Sequence, residues 1–244
     1  MSILLIPVAP LSRTKSRLRD CFSKEQLKAL TIAMFKDLGT LLKDLGIYDE
    51  KIVYCNNSEI LDLAEEYNLI GIKEKLTTPR QNFATVIQDL NSIAIDEFNA
   101  KKTVFTFLDL ILISQKNFKE IHSLMKKYSL VVCPAIHSAG VSILGRTPPE
   151  IVSSACFSNP KLPSFVALLN EAQEREVKQI SIYDSFRASF DVDIKQDLIL
   201  AFEYLKIFNL MNTETFSFLK QNLKLKLQKK SVENNREFTI TRKS

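Results

Sequence analysis

Short apolar runs alternate with stretches of helical periodicity along most of this chain, and that alternation is its strongest constraint on fold. The runs are "ILLIPV" (3–8), "KIVYC" (51–55), "LIGIK" (69–73), "TVFTFLDLILI" (103–113), "LVVCPAI" (130–136), "VSILG" (141–145) and "KQISIYD" (178–184). Most have strand length and are bounded by turn residues, and the run at 103–113 reads as the strongest strand. Between them, Ser23 and Gln26 read as a capping box. Leu27, Leu30, Ala33, Met34, Leu38, Leu41 and Leu42 follow at helical spacing, and Gly46 is the expected stop. Further helices are expected over 58–67, after the loop at 77–82, over 114–127 from a Ser114 cap, over 164–175, and from the Asp191/Asp193 pair to 208. Strands alternating with helices predict a mostly parallel sheet covered on both faces. Ligands then bind outside the carboxyl ends of the strands. The loops at 9–19, 77–82, 109–114 and 185–193 are where a site is expected.

With 244 residues, 45% of them hydrophobic, the chain suits one large domain with an appendage. We divide it into a domain over 1–210 and a tail over 211–244, where "KQNLKLKLQKK" is basic and "SVENNREFTITRKS" polar. A basic terminal helix running into a flexible end is the expectation, with contact to an acidic partner as the alternative. The net charge of +5 suits anionic ligands such as nucleotides and is too small to argue for nucleic acid. No stretch approaches the ~18 apolar residues of a spanning helix, and the first run is too short for a signal peptide, so a cytoplasmic protein without membrane contact is expected. Cys21, Cys55, Cys133 and Cys156 are widely spaced, which reads as reduced, mostly buried thiols. His122 and His137 share no motif. Only five glycines occur, and none forms a GxGxxG or P-loop cradle.

The candidate chemistry begins in the first loop. Arg13, Lys15, Arg17 and Arg19 follow the first strand, and an extended loop would project them to one side, where they could neutralise a polyphosphate or stand as solvated surface cations. Asp109 lies among apolar neighbours, where a carboxylate is costly unless it is paired or binds a metal. It either faces a site at a strand end or caps the helix after Ser114. Asp191 and Asp193 form a D-x-D before a helix. Both carboxylates could reach one Mg2+, or they could serve as helix caps. A cationic loop, a mid-sheet Asp and a late D-x-D are what nucleotidyl transfer needs: cations hold a triphosphate, and metal bridges its α-phosphate to the attacking oxyanion.

The opening "IPVAPLSRTKSRL", with "FSKEQLKALTIAMFKDL" after it, resembles the start of the 2-phospho-L-lactate guanylyltransferases: a strand, Pro-Val/Ile, K-x-R-L, then a helix. The likeness spans roughly residues 3–208. It implies a GT-A-like (Rossmann-like) α/β nucleotidyltransferase fold, a three-layer sandwich with a mostly parallel mixed central sheet. It implies Mg2+-dependent transfer of GMP from GTP to 2-phospho-L-lactate or phosphoenolpyruvate, with release of pyrophosphate, in coenzyme F420 biosynthesis, and a homodimer. By position, Lys15, Arg17 and Asp109 would be catalytic. Pro10, Arg13, Lys15, Arg17 and Asn82 would bind nucleotide. Asp109, Asp191 and Asp193 would hold metal, and Gly140, Lys161 and Ser164 would bind the acid. Departures concentrate at the acid end. The family's Pro-Ala before the metal Asp is Phe107-Leu108, and the Pro after it is Ile111. Gly-Thr-Asn is Ala139-Gly140-Val141, a His falls on Leu168, and a Gly falls on Lys161. A relative using another nucleotide or acceptor, or a degenerate nucleotide-binding protein, stays open.

Overall fold

In the computed structural model, which describes residues 1–11, 14–75, 77, 81–136, 139–229 and 236–242, the first apolar run forms strand β1 (Ser2–Pro7). Successive strand side chains point to opposite faces. Leu4 and Ile6 enter one core and Ile3 and Leu5 another. Both faces are therefore dry, which is why the run is continuously apolar. The sheet also contains β2 (Glu50–Cys55), β3 (Ile70–Lys73), β4 (Lys102–Thr106), β5 (Leu130–Pro134), β6 (Val141–Arg146) and β7 (Ile180–Ile182), in the order β3-β2-β1-β4-β6-β5-β7. Strand β6 runs antiparallel to β4 and β5, and the other pairings are parallel. This is the mostly parallel mixed sheet expected.

Helices α1 (Lys24–Lys43), α2 (Ser58–Glu66) and α4 (Gln115–Leu124) cover one face through Phe35, Leu38, Ile60, Ala64, Phe118 and Ile121. Helices α3 (Phe83–Asp96) and α5 (Ser164–Glu174) cover the other through Ile87, Leu90, Leu168 and Ala172. The expected capping box of Ser23 with Gln26 opens α1, and the expected Ser114 cap opens α4, completed as a box by Asn117. The stop at Gly46 is not as expected. Helix α1 ends at Lys43 with Asp44 as its cap, and among the described residues no glycine adopts a positive φ. Glycine matters instead at Gly39, where a Cβ would collide with the Tyr67 ring.

Two expectations are corrected. Strand β4 ends at Thr106, so the run at 103–113 is not one strand. Leu110 and Ile113 turn into the core beneath α1 and α4, and Leu112 enters a third core with Leu18, Phe22 and Met34. Apolar composition there reports burial, not extension. The tail also differs from a fraying helix. After the four-residue α6 (Phe186–Ser189) come α7 (Lys195–Ile207) and α8 (Glu214–Asn222), and then an antiparallel hairpin of β8 (Leu223–Lys229) and β9 (Arg236–Arg242). Leu223, Leu225 and Leu227 alternate with Lys224, Lys226 and Gln228, which is strand period. Helix α8 is anchored on the main domain: Asp37 of α1 accepts from the backbone N–H of Glu214 and Thr215, both at 2.8 Å. The rest of the tail, 230–235 and 243–244, lies outside the described residues. All four cysteines are free and buried, and no described helix is long and apolar enough to cross a membrane.

Candidate active site

The chain leaves β1 at Pro7 and turns back on itself, and a 3₁₀ turn covers Ser16–Leu18. Among the described residues of this loop, Lys15 and Arg17 converge on Asp193 from a turn and not from an extended segment. Lys15 adopts a left-handed backbone (φ 48°, ψ 39°), unusual for a residue with a Cβ and a mark of a site whose surroundings hold the strain. That conformation turns its side chain inward. Nζ donates to Asp109 Oδ2 at 2.7 Å, Val192 O at 2.8 Å and Asp193 Oδ1 at 3.3 Å. An ammonium has three donors, so all are engaged within the protein. Burial works against the charge of Lys15, but the carboxylates of Asp109 and then Asp193 outweigh it and raise its pKa above the ordinary lysine value. In this arrangement the Lys15 ammonium holds the carboxylates of Asp109 and Asp193 together. Leu18 anchors the loop in the third core, and Thr14 and Thr31 share a hydroxyl hydrogen bond of 2.9 Å.

Asp109 lies on the loop after β4 and does not cap α4, a role Ser114 takes. Its carbonyl accepts from Val192 N–H at 3.2 Å, which ties this loop to the D-x-D segment. The alternative role of the D-x-D, capping α7, falls to Asp197. Its Oδ2 accepts from the N–H groups of Asp193 and Ile194, both at 2.8 Å. Asp193 is thereby free to hold Lys15 and, through Oδ2, Arg17 Nη1 at 3.2 Å. Asp191 is 8% exposed, and its buried Oδ1 has no hydrogen-bond partner. Burial, followed by the nearby carboxylates of Asp109 and Asp193, pushes its pKa up to about 6.

These groups line one side of a cleft of about 700 Å³ at the carboxyl ends of β1 and β4. The antiparallel course of β6 brings its start to the same end, so Gly140, Val141 and Ser142 line the opposite side with Leu162, Pro163 and Ser164. The cleft thus gathers Lys15, Arg17, Asp109, Asp191, Asp193, Gly140 and Ser164. Three other expected site residues stand outside its lining. Pro10 follows the lining residue Ala9. Asn82 caps α3, its Oδ1 accepting from Thr85 N–H at 2.9 Å. Lys161 is exposed, with its backbone N–H on Asn159 Oδ1 at 2.9 Å. Arg13 and His137 lie outside the described residues. Arg146, at the end of β6 away from the cleft, is fully buried and bonded to Asn91 Oδ1 at 2.7 Å and Val152 O at 3.1 Å.

Sequence reasoning missed Thr14, Ser142 and an aromatic wall of Phe83, Phe107 and Phe157. The only advance signal for the wall was Phe107, where the resembled family has Pro. Among the described residues no three Asp, Glu, His or Cys side chains form a ready metal cluster. The donors present are carboxylate oxygens, one of them buried without a partner. That set suits a hard divalent cation that draws the rest of its shell from water and phosphate.

Arg17 is a separate case, because its side chain is 67% exposed. A surface pair of this kind contributes at most about 1 kcal/mol. Arg17→Ala is therefore expected to leave Tm within about 3 °C while raising the KM for a nucleoside triphosphate by about tenfold. Thermal melts and initial rates check both.

The model of the family described as "Guanylyl transferase CofC like" matches residues 1–242. The 2-phospho-L-lactate guanylyltransferase of Methanocaldococcus jannaschii is 30% identical over 196 residues, covering 80% of each chain. That of Methanobrevibacter smithii is 25% identical over 241 residues, covering 98% of this chain and 97% of its own. Among solved structures, one described as a nucleotide-diphospho-sugar transferase from Desulfovibrio desulfuricans superimposes with a TM-score of 0.70 at 13% identity, covering 90% of this chain and 94% of its own. A nucleotidyl transferase from Methanothermobacter thermautotrophicus gives 0.55 at 13% identity, covering 91% and 99%. These structures share the fold.

Proposed function

The chain belongs to the guanylyl transferase CofC-like family, and on that premise we propose that it transfers GMP from GTP to 2-phospho-L-lactate or phosphoenolpyruvate, releasing pyrophosphate, in coenzyme F420 assembly. The observation that carries this reading is the single cleft that joins the Lys15–Asp109–Asp193 cluster to the wall of Gly140 and Ser164. A phosphate oxygen of the acid attacks the α-phosphorus of GTP. The new P–O bond forms as the bond to the bridging oxygen breaks, and its electron pair leaves with pyrophosphate. No covalent nucleophile is needed, so positioning and charge do the work. Arg17 offers its guanidinium to the triphosphate. Lys15 holds Asp109 and Asp193 in register. Ser164 opens α5 and lines the cleft, where its hydroxyl is offered to an anionic acid, while the next N–H, that of Phe165, is held by Ala139 O at 3.1 Å.

Asp109, Asp191 and Asp193 fit a divalent cation such as Mg2+, which when bound neutralises charge developing on the phosphates. The metal claim has a readout independent of turnover. Lys15→Met leaves the carboxylates of Asp109 and Asp193 without their shared ammonium, so it is expected to lower stability by about 2–4 kcal/mol. Millimolar Mg2+ should restore more of the Tm of that variant than it adds to the parent protein. Equal effects in both proteins would remove the cation from this cluster.

A second reading, a different acceptor, is favoured by one observation: Gly140 stands where the resembled family has a Thr. Phosphorus NMR of the products separates the two. A pair of coupled diphosphate signals, from the P–O–P link between the acid and GMP, with either three-carbon acid supports the first reading, and its absence with both supports the second.

A further inference from the structure

Within the nucleotidyl-transfer reading, on which this inference rests, we infer that Phe83, Phe107 and Phe157 seat the nucleotide's base and favour a purine. The three rings come from three separate elements: the first residue of α3, the loop after β4, and a 3₁₀ turn at Ala155–Ser158. Their centroids lie 5.8 Å (Phe83–Phe107), 5.5 Å (Phe83–Phe157) and 6.2 Å (Phe107–Phe157) apart, with interplanar angles of 48°, 82° and 75°. All three line the cleft. The corner is held in place. Asn82 caps α3 directly before Phe83, and Ala84 N–H donates to Ser158 Oγ at 3.2 Å, tying the start of α3 to the 3₁₀ turn.

Phe83 is 45% exposed, whereas Phe22, Phe35, Phe105, Phe118 and Phe190 are at most 2% exposed. A large apolar ring left open in a cleft, beside others that could have covered it, marks a place for an apolar ligand face.

The chemistry of the two substrates decides which one it serves. A phosphorylated three-carbon acid is a carboxylate and a phosphate on a short stem, and it offers phenyl rings almost nothing. It is matched by the Ser164 hydroxyl on the Gly140–Ser164 wall. A nucleobase has a broad π face and stacks on aromatic side chains whatever its edge. Phe107 precedes Asp109 by two residues, at most about 7 Å along the backbone. The wall therefore begins roughly one sugar's width from the carboxylate assigned to the phosphate end. A bicyclic purine overlaps more of a three-ring corner than a pyrimidine does.

The test is equilibrium binding by calorimetry on the full chain, with GTP, CTP and inorganic tripolyphosphate as probes. The parent protein should bind GTP more tightly than CTP. Phe83→Ala should weaken GTP about tenfold, CTP by less, and tripolyphosphate not at all. Phe83→Trp, which keeps an aromatic face, should retain GTP binding, and Phe157→Ala should repeat the Phe83→Ala pattern. Equal losses for GTP and tripolyphosphate would overturn the inference, as would unchanged GTP affinity or an effect confined to the KM of the acid. Failure of the parent protein to bind GTP at all would instead sink the guanylyltransferase reading, and the base seat with it.

Discussion

Asp109→Ala should lower the rate of pyrophosphate release from GTP by at least about 10³-fold while leaving a folded protein. Asp109 sits where both halves of the electrostatics meet. Its carboxylate holds Lys15 at 2.7 Å, and its backbone carbonyl holds Val192 in the segment that carries Asp191 and Asp193. The substitution removes the first contact and spares the second. Lys15 keeps Asp193 and Val192 O as partners, so no ammonium is stranded and the loss of stability should stay near 1–2 kcal/mol. Asp109→Asn preserves the shape and removes only the charge, and should lose nearly as much activity as the alanine variant. Steady-state rates beside thermal melts check this. Full activity in Asp109→Ala would remove the residue from the machinery.

Asp191→Asn should move stability and activity in opposite directions. Burial and the carboxylates of Asp109 and Asp193 raise the Asp191 pKa from 3.8 to about 6. The folded state thus favours the protonated acid more than the unfolded chain does. That contribution is fully present below pH ~4 and is lost as pH rises through ~6, so at pH 8 the native protein carries a strained, ionised Asp191. A shift of two pH units corresponds to about 3 kcal/mol. In metal-free buffer at pH 8, the asparagine variant should be more stable by about 1–3 kcal/mol, a rise in Tm of roughly 2–10 °C. The advantage should vanish near pH 4. Activity should fall at least about 100-fold, the trade expected where a site stores repulsion for its ligand. Calorimetric melts across pH in chelator check the sign, and a variant less stable at pH 8 would contradict it.

Much of the frame was legible because it is local. The continuous apolar run of β1, the capping box at Ser23 and the cap at Ser114 each report their own neighbourhood. What was not legible was mostly long-range. Nothing near Lys15 announces that its ammonium meets Asp109, 94 residues away. The D-x-D looked ambiguous between capping and binding, although Asp197, three residues after Ile194, was the acid placed to cap. The run at 103–113 misled because Leu110, Leu112 and Ile113 are buried on a loop. The strand period of Leu223, Leu225 and Leu227 was visible but was outweighed by the basic composition around it. Phe83, Phe107 and Phe157 share no spacing, so only the fold brings them together.

The most direct test is pyrophosphate release from GTP with Mg2+, with 2-phospho-L-lactate and phosphoenolpyruvate offered singly and ATP as the control nucleotide. Release that requires one of the two acids, and that ATP does not support, is the predicted result. No release with GTP and either acid would contradict the guanylyltransferase assignment and leave a nucleotide-binding relative with a changed or lost acceptor site.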